Sequence, residues 1–292
     1  MHMPVLNYSR EMHLMWPPVS RLQQNDEGSA FVEGVATVSA AAAFVFSGFR
    51  NGQSDALCGA SQARQKSKET TDVETTYEKE ITALLLIDPY NEFISEGGKV
   101  WDRLKGVAEA NQCIPHMLQL LNAAREAHIH VFYALHRRYR PGDYETWKYI
   151  APNQKAAWSR KTFEYGTWGG QIRREFEPQQ GDVVASEHWG SSGFADTDLN
   201  LQLRTRGIQK LIVMGLIAHT CVEATVRYAA ELGYEVTIVR DATASYSDEH
   251  MHAALDINIP NYATATVTTE EIVNAISRCR DQPHSGPVTG RD

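Results

Sequence analysis

From Ile81 onward, apolar runs of strand length alternate with stretches whose apolar residues recur at helical spacing. That pattern predicts parallel strands joined by helices that cover both faces of one sheet. Residues 81–87 open the series as a strand. Over 106–127, the residues Val107, Ile114, Leu118, Leu121 and Ala124 share one stripe, which predicts a helix lying on that sheet. Further strands are expected at 129–135, 183–185, 211–216 and 236–239, with helices at 197–206 and 221–232. A last strand near 263–267 precedes a helix that starts at Thr268 or Thr269, with Glu271 close to a capping-box position. The connection 136–180 holds Trp147, Trp158 and Trp168 among polar residues, and a segment that long is expected to roof a pocket.

The first eighty residues read differently. Residues 53–79 are rich in Ser, Thr, Gln, Lys and Glu without an apolar period, the composition of a linker. The apolar run 35–46, centred on Ala40–Ala43, falls short of the ~20 residues that span a bilayer. Asp26, Glu27 and Glu33 ahead of it argue against a secretory signal. Residues 1–80 are therefore expected to be a largely disordered N-terminal extension, 81–280 the folded domain and 281–292 a flexible tail.

Composition narrows the function classes. With 42% apolar and 22% charged residues in 292, the chain is an ordinary globular protein with room for one domain and an extension. A net charge of −8 supplies no basic field for nucleic acid or anionic lipid, so neither is expected as a partner. Four scattered cysteines, Cys58, Cys113, Cys221 and Cys279, form no C-x-x-C pair, so neither a zinc knuckle nor a disulfide framework is expected. They read as thiols of a cytoplasmic protein.

In open parallel sheets ligands sit beyond the carboxyl ends of the strands, which singles out three places. These are Asp88 after Leu84-Leu85-Leu86-Ile87, the Glu187-His188 pair after Val183-Val184-Ala185, and Cys221 after 211–216. Gly215 to Glu223 reads as strand, tight turn and helix start, where free amides and the helix dipole favour a thiolate and can hold an oxyanion. Taken alone, Cys221 is a nucleophile or a buried packing residue, and Asp88 a proton carrier or a strand-end carboxylate. Together they make chemical sense, because a carboxylate can take the thiol proton during attack and return it to a leaving amine.

Leu85-Leu86-Ile87-Asp88-Pro89-Tyr90-Asn91-Glu92-Phe93 resembles the strand motif that opens isochorismatase-like cysteine hydrolases. Gly166-Thr167-Trp168-Gly169, Gly181-Asp182-Val183-Val184, Ser192-Gly193-Phe194 with Thr197-Asp198-Leu199, and Thr220-Cys221-Val222-Glu223-Ala224-Thr225 follow in that family's order. The resemblance implies a three-layer, Rossmann-like α/β fold with a six-stranded parallel sheet flanked by helices. It implies an Asp-Lys-Cys triad that hydrolyses a small amide, imide or ureido C–N bond through a thioester. Asp88 and Cys221 match two members, the amides of Ile217 and Cys221 would form the oxyanion hole, and Leu216-Ile217 matches a position where the family commonly has a cis peptide.

The triad lysine is missing. Counting forward from Gly181 puts Glu187 in its place; counting back from Phe194 puts His188 there, and only a protonated His188 supplies the cation. His188 is the preferred reading, with Glu187 orienting it; the alternative is that both line the pocket wall and bind polar groups of the substrate. His136, Trp189, Phe93, Trp168 and His219 are candidate substrate contacts, each with a plain packing or loop role as the alternative, and Asp241 reads as structural. Nicotinamidases of the superfamily hold a metal on an Asp and two His, a spacing that Leu135-His136-Arg137-Arg138 lacks, so no metal or other cofactor is expected. The resemblance also implies a homo-oligomer, dimer or tetramer. Isochorismatase-type vinyl-ether hydrolysis and a non-catalytic binding role are the alternatives.

Overall fold

The computed structural model describes residues 76–280. The extension, its apolar run 35–46, most of the linker, Cys58, the side chain of Cys279 and the tail 281–292 lie outside the described residues. Packing starts a little before Ile81: Tyr77 is buried, and its hydroxyl is 3.1 Å from Thr237 Oγ1.

Six strands form one parallel sheet in the order β3-β2-β1-β4-β5-β6. They are β1 (Thr82–Ile87), β2 (His130–Ala134), β3 (Val183–Val184), β4 (Lys210–Leu216), β5 (Glu235–Ala244) and β6 (Ala265–Val267). Every residue of β1 is buried, as a central strand covered on both faces requires. One apolar cluster packs Leu84 and Leu86 with Leu104, Met117, Leu121, Ile272 and Ile276. The other packs Ala83, Leu85 and Ile87 with Leu199, Leu203, Val222 and Val226. Alternate residues of one strand thus serve two helical layers.

The helices are α1 (Asn91–Ile94), α2 (Trp101–Ala110), α3 (Cys113–Glu126), α4 (Pro152–Ser159), α5 (Leu199–Arg204), α6 (Glu223–Glu231), α7 (Asp248–His252) and α8 (Thr269–Arg280). The single helix expected over 106–127 is two, because Gln112 adopts a left-handed conformation (φ 51°) that ends α2 and restarts the chain as α3. Nor does a helix begin at Cys221: Ala218–Val222 forms a π-helical turn, and α6 starts after it. The run expected to end at 239 continues to Ala244, past Arg240 and Asp241, because the β4–β5 register shifts between Val213 and Gly215.

Two helix starts follow from local chemistry. Thr268 and Glu271 complete the capping box, with Glu271 Oε2 accepting from Thr268 N (2.7 Å) and Thr268 Oγ1 from Glu271 N (3.3 Å). Asp241 Oδ1 accepts from Thr269 N at 2.8 Å, which gives that carboxylate its structural role. The 136–180 connection is not structureless, since it contains α4 and a 3-10 turn at Arg174–Phe176.

Candidate active site

The strand order reverses direction between β1 and β4, the place at the carboxyl ends where open parallel sheets take their ligands. Asp88 follows β1 with a left-handed backbone (φ 51°). Its amide donates to Ala134 O (3.1 Å), and its Oδ1 accepts from His136 N (2.6 Å). The carboxylate is thereby turned across the end of β2. A parallel bridge between His136 and His188 carries the β2–β3 pairing past the regular strands, with His188 N donating to Leu135 O and Arg137 N to His188 O. This extension brings His188 Nε2 to 3.3 Å from Asp88 Oδ1.

On the other side, the next-to-last residue of β4 is Gly215 (φ 121°), where any Cβ would overlap the Ile87 carbonyl oxygen. The two central strands touch there, and the chain turns straight into the π-helical turn. The Leu216–Ile217 peptide is cis. Ile217 O accepts from Thr220 N (3.1 Å) and Val222 N (3.2 Å), so the Cys221 amide between them is left out of that pairing. Cys221 Sγ, His188 Nε2 and an Asp88 carboxylate oxygen all lie within 4.8 Å of one another, and all three residues are buried. A carboxylate, an imidazole and a thiol at such separations are a donor set that can hold a metal ion as well as relay a proton.

The charges in this pocket depend on one another. Burial, and then the Asp88 carboxylate, push the Cys221 thiol well above its ordinary range, against a smaller pull from Thr220 and the Ile217 main chain. The resting group is therefore a thiol beside a carboxylate, and not the thiolate expected from the turn geometry alone. For His188, burial disfavours the charge, but Asp88, the Gly190 carbonyl and Glu187 outweigh it and raise the imidazole. His136 goes the opposite way, lowered by burial and by His188.

Glu187 and His188 part company. Glu187 Oε1 accepts from Arg138 Nε (2.5 Å) and Oε2 lies 3.5 Å from Arg137 Nη1, so its carboxylate is held on the loop side. The orienting bond expected of Glu187 comes instead from Gly190, whose carbonyl accepts from His188 Nδ1 at 2.8 Å. Of the other candidates, His136 is buried beside His188 (ring centroids 5.2 Å) and meets Gln154 Nε2 at 3.4 Å. Phe93 packs edge-on against Phe163, which also faces Tyr90 and His136. His219 bonds Ser245 Oγ through Nδ1 (2.5 Å) and stacks on His250.

Trp189 joins Tyr144 and Trp147 in an aromatic cluster. Trp168 is half exposed and lines a surface groove with Asn91, Glu96 and Arg173 that includes none of Asp88, His188 and Cys221. Three nearby side chains escaped the sequence reading. Phe163 and Gln154 come from the roof, and Tyr246, past the end of β5, lies within electrostatic reach of Arg103, Arg160 and Cys221. Only Tyr246 carried a signal, its position just beyond a strand end.

Residues 82–271 match the isochorismatase domain. The ureidoacrylate amidohydrolase RutB of Rhizobium rhizogenes is 28% identical over 212 residues, 68% of this chain and 84% of that protein. A cysteine hydrolase from Pseudomonas syringae pv. phaseolicola 1448A shares the fold with a TM-score of 0.59 at 24% identity, over 70% of this chain and 96% of that one. N-carbamoylsarcosine amidase from Thermoplasma acidophilum does so with a TM-score of 0.50 at 26% identity, over 64% and 95%. The chain belongs to the isochorismatase family.

Proposed function

We propose that the protein is a cysteine-dependent hydrolase of small ureido or amide compounds, with Cys221 as nucleophile, Asp88 as proton carrier and His188 in the place of the family lysine. The observation that carries this reading is the convergence of those three side chains from three separate strand ends into one buried cluster. Asp88 takes the thiol proton as sulfur attacks the carbonyl carbon, and the amides of Ile217 and Cys221 receive the oxyanion. The C–N bond breaks, the amine leaves with the proton from Asp88, and a thioester-type adduct remains. Water then adds to that carbon, the C–S bond breaks and the thiol regains its proton. His188, as imidazolium, balances the charge that passes between sulfur and carboxylate.

RutB is named for ureidoacrylate and the Thermoplasma enzyme for N-carbamoylsarcosine, and both names describe a ureido group on a carboxylic acid. A ureido acid suits this site as well. The Arg103 guanidinium lies 3.8 Å from the centre of the Tyr246 ring; burial raises that phenol, while Arg103 and Arg160 both oppose the rise and Cys221 adds to it, which supports a cationic side to the cysteine for a carboxylate. The reading also makes the protein a cytoplasmic homo-oligomer. Exposed Trp147, Tyr149, Tyr165 and Trp168 support a subunit contact, and light scattering at micromolar concentration tests it. Among the described residues, no helix is long and apolar enough to cross a membrane.

Intact-mass measurement after brief exposure to a panel of N-carbamoyl amino acids, ureidoacrylate and simple amides tests the function. The expected result is an adduct that maps to Cys221 and is absent from Cys221→Ala. Turnover of isochorismate by Cys221→Ala would instead establish vinyl-ether hydrolysis, and turnover of nothing would leave a binding role.

A further inference from the structure

We propose that His188 makes this centre a binding site for a soft divalent cation of the zinc class, held by Asp88, His188 and Cys221. Metal capture rests only on the three donors. Its consequence, reversible shutdown of hydrolysis, rests on the hydrolytic reading above.

The donors are of the kinds zinc favours, one thiolate sulfur, one imidazole nitrogen and one carboxylate oxygen. A lysine ammonium has no free lone pair and repels a cation, so an Asp-Lys-Cys set cannot do this. The spacing is suitable: His188 Nε2 and Asp88 Oδ1 are 3.3 Å apart, and two ligands at ~2.0–2.1 Å from a tetrahedral zinc are separated by roughly that distance. Cys221 Sγ completes a set no wider than 4.8 Å, so small side-chain rotations close it around an ion.

Two further observations point to a ligand. Asp88 Oδ2 is fully buried with no hydrogen-bond partner, and the buried His188 Nε2 has only the Asp88 Oδ1 ion pair at 3.3 Å, without a geometric hydrogen bond, although buried polar atoms are nearly always paired. The far nitrogen of His188 is already committed to the Gly190 carbonyl at 2.8 Å. That bond presents Nε2 inward, the arrangement second-shell carbonyls impose on metal-binding histidines. Three protein donors leave a fourth tetrahedral position for water or an anion. When the cation enters, the thiol proton and any proton on His188 Nε2 leave to solvent. Sulfur then has no free charge for attack, and Asp88 no longer accepts its proton.

The test uses the full chain, stripped with a chelator and titrated with Co2+ alone. The expected result is a near-ultraviolet thiolate-to-cobalt charge-transfer band that saturates at one equivalent and is lost in both Cys221→Ala and His188→Lys. Equilibrium dialysis with Zn2+ should show one equivalent fewer in each variant, which discounts histidines and cysteines elsewhere in the chain. In the unaltered protein Zn2+ should slow iodoacetamide labelling of Cys221, and a chelator should restore it. This last measurement needs no variant to fold. A band that persists in His188→Lys, or Cys221 labelling that Zn2+ leaves unchanged, overturns the proposal. Neither readout uses a substrate, so failure of the metal site is distinct from failure of the hydrolase reading, which the adduct experiment decides.

Discussion

The floor of the site and its roof are built by different means. The floor is strand-end chemistry: Asp88, His188 and Cys221 are fixed by the pairing of β1, β2, β3 and β4, and neighbouring main chains set their directions. The roof, residues 136–180, is largely irregular chain held by main-chain bonds to the segment after β1, such as Asn91 N to Gln171 O and Arg173 N to Pro89 O, and by side chains reaching across the sequence. Glu92 accepts from Phe163 N at 2.6 Å and meets Lys99 at 3.1 Å, and a Cβ at Gly169 would overlap its carboxylate. Parallel strands position a reacting group within narrow limits, whereas an irregular segment held by scattered bonds is more easily displaced. Cys221 is only 6% exposed, so on the proposed hydrolase reading substrate admission falls to the roof and chemistry to the floor.

The largest effects are expected from the floor. Cys221→Ala should abolish turnover of whichever amide forms the adduct. Asp88→Asn should lower kcat by about 10²–10⁴-fold, the usual contribution of general acid–base catalysis. The two roles of Asp88 can be separated. Its charge raises the Cys221 thiol, so removing that charge should lower the thiol pKa and speed iodoacetamide labelling while turnover falls. If labelling slows along with turnover, Asp88 is activating the sulfur in the resting protein, and the division between resting thiol and transient thiolate is wrong.

Gly215→Ala tests how tightly the floor is built. With φ at 121° and the Ile87 carbonyl in the way, the methyl group should cost roughly 3 kcal/mol, measured as a drop in the unfolding midpoint. A change under about 1 kcal/mol would mean that β1 and β4 can separate at their ends, and the floor would then be no stiffer than the roof.

How much of this was readable follows the same division. Leu84-Leu85-Leu86-Ile87 and residues 211–216 announce central strands because burial on both faces demands consecutive aliphatics, and Asp88 and Cys221, which follow them, meet in the buried cluster. The break at Gln112 was hidden, since no glycine marks the left-handed residue. The length of β5 was hidden too, because Arg240 and Asp241 break the apolar run while the strand continues beside a register shift. Glu187 and His188 were indistinguishable by counting; what separates them is the bridge to His136 and the grip of Arg138. Phe163 and Gln154 owe their places to contacts such as Glu92 with Phe163, 71 residues apart, and no local period encodes such a pair.

A smaller effect belongs to His188 and pH. Its folded pKa is raised above the ~6.5 of an unfolded histidine, so the fold binds its proton more tightly than the unfolded chain. That stabilisation is complete below the unfolded value and is lost as pH rises through the folded one. His188→Gln removes it, so the difference in unfolding midpoint between the two proteins should be wider at pH 6 than at pH 9. An equal gap at both would mean that His188 is neutral when folded and supplies no cation to the floor.

The smallest effect, and the sharpest test of the roof, is Glu92→Gln. Glutamine can still accept from Phe163 N, but it presents an amide to Lys99, whose side chain is 40% exposed and whose ammonium also donates to Lys161 O (2.6 Å) and has Glu164 at 3.8 Å. The loss of one charged partner in a part-open site should cost about 1 kcal/mol. Phe163 would keep its fold but lose its fixed height over His136 and Phe93, the surfaces it packs against. KM should therefore rise several-fold while kcat stays within about twofold, because Asp88, His188 and Cys221 take none of their positions from Glu92. A kcat that falls as far as it does in Asp88→Asn would show the roof setting the geometry of the reacting atoms, and the separation of admission from chemistry would not hold.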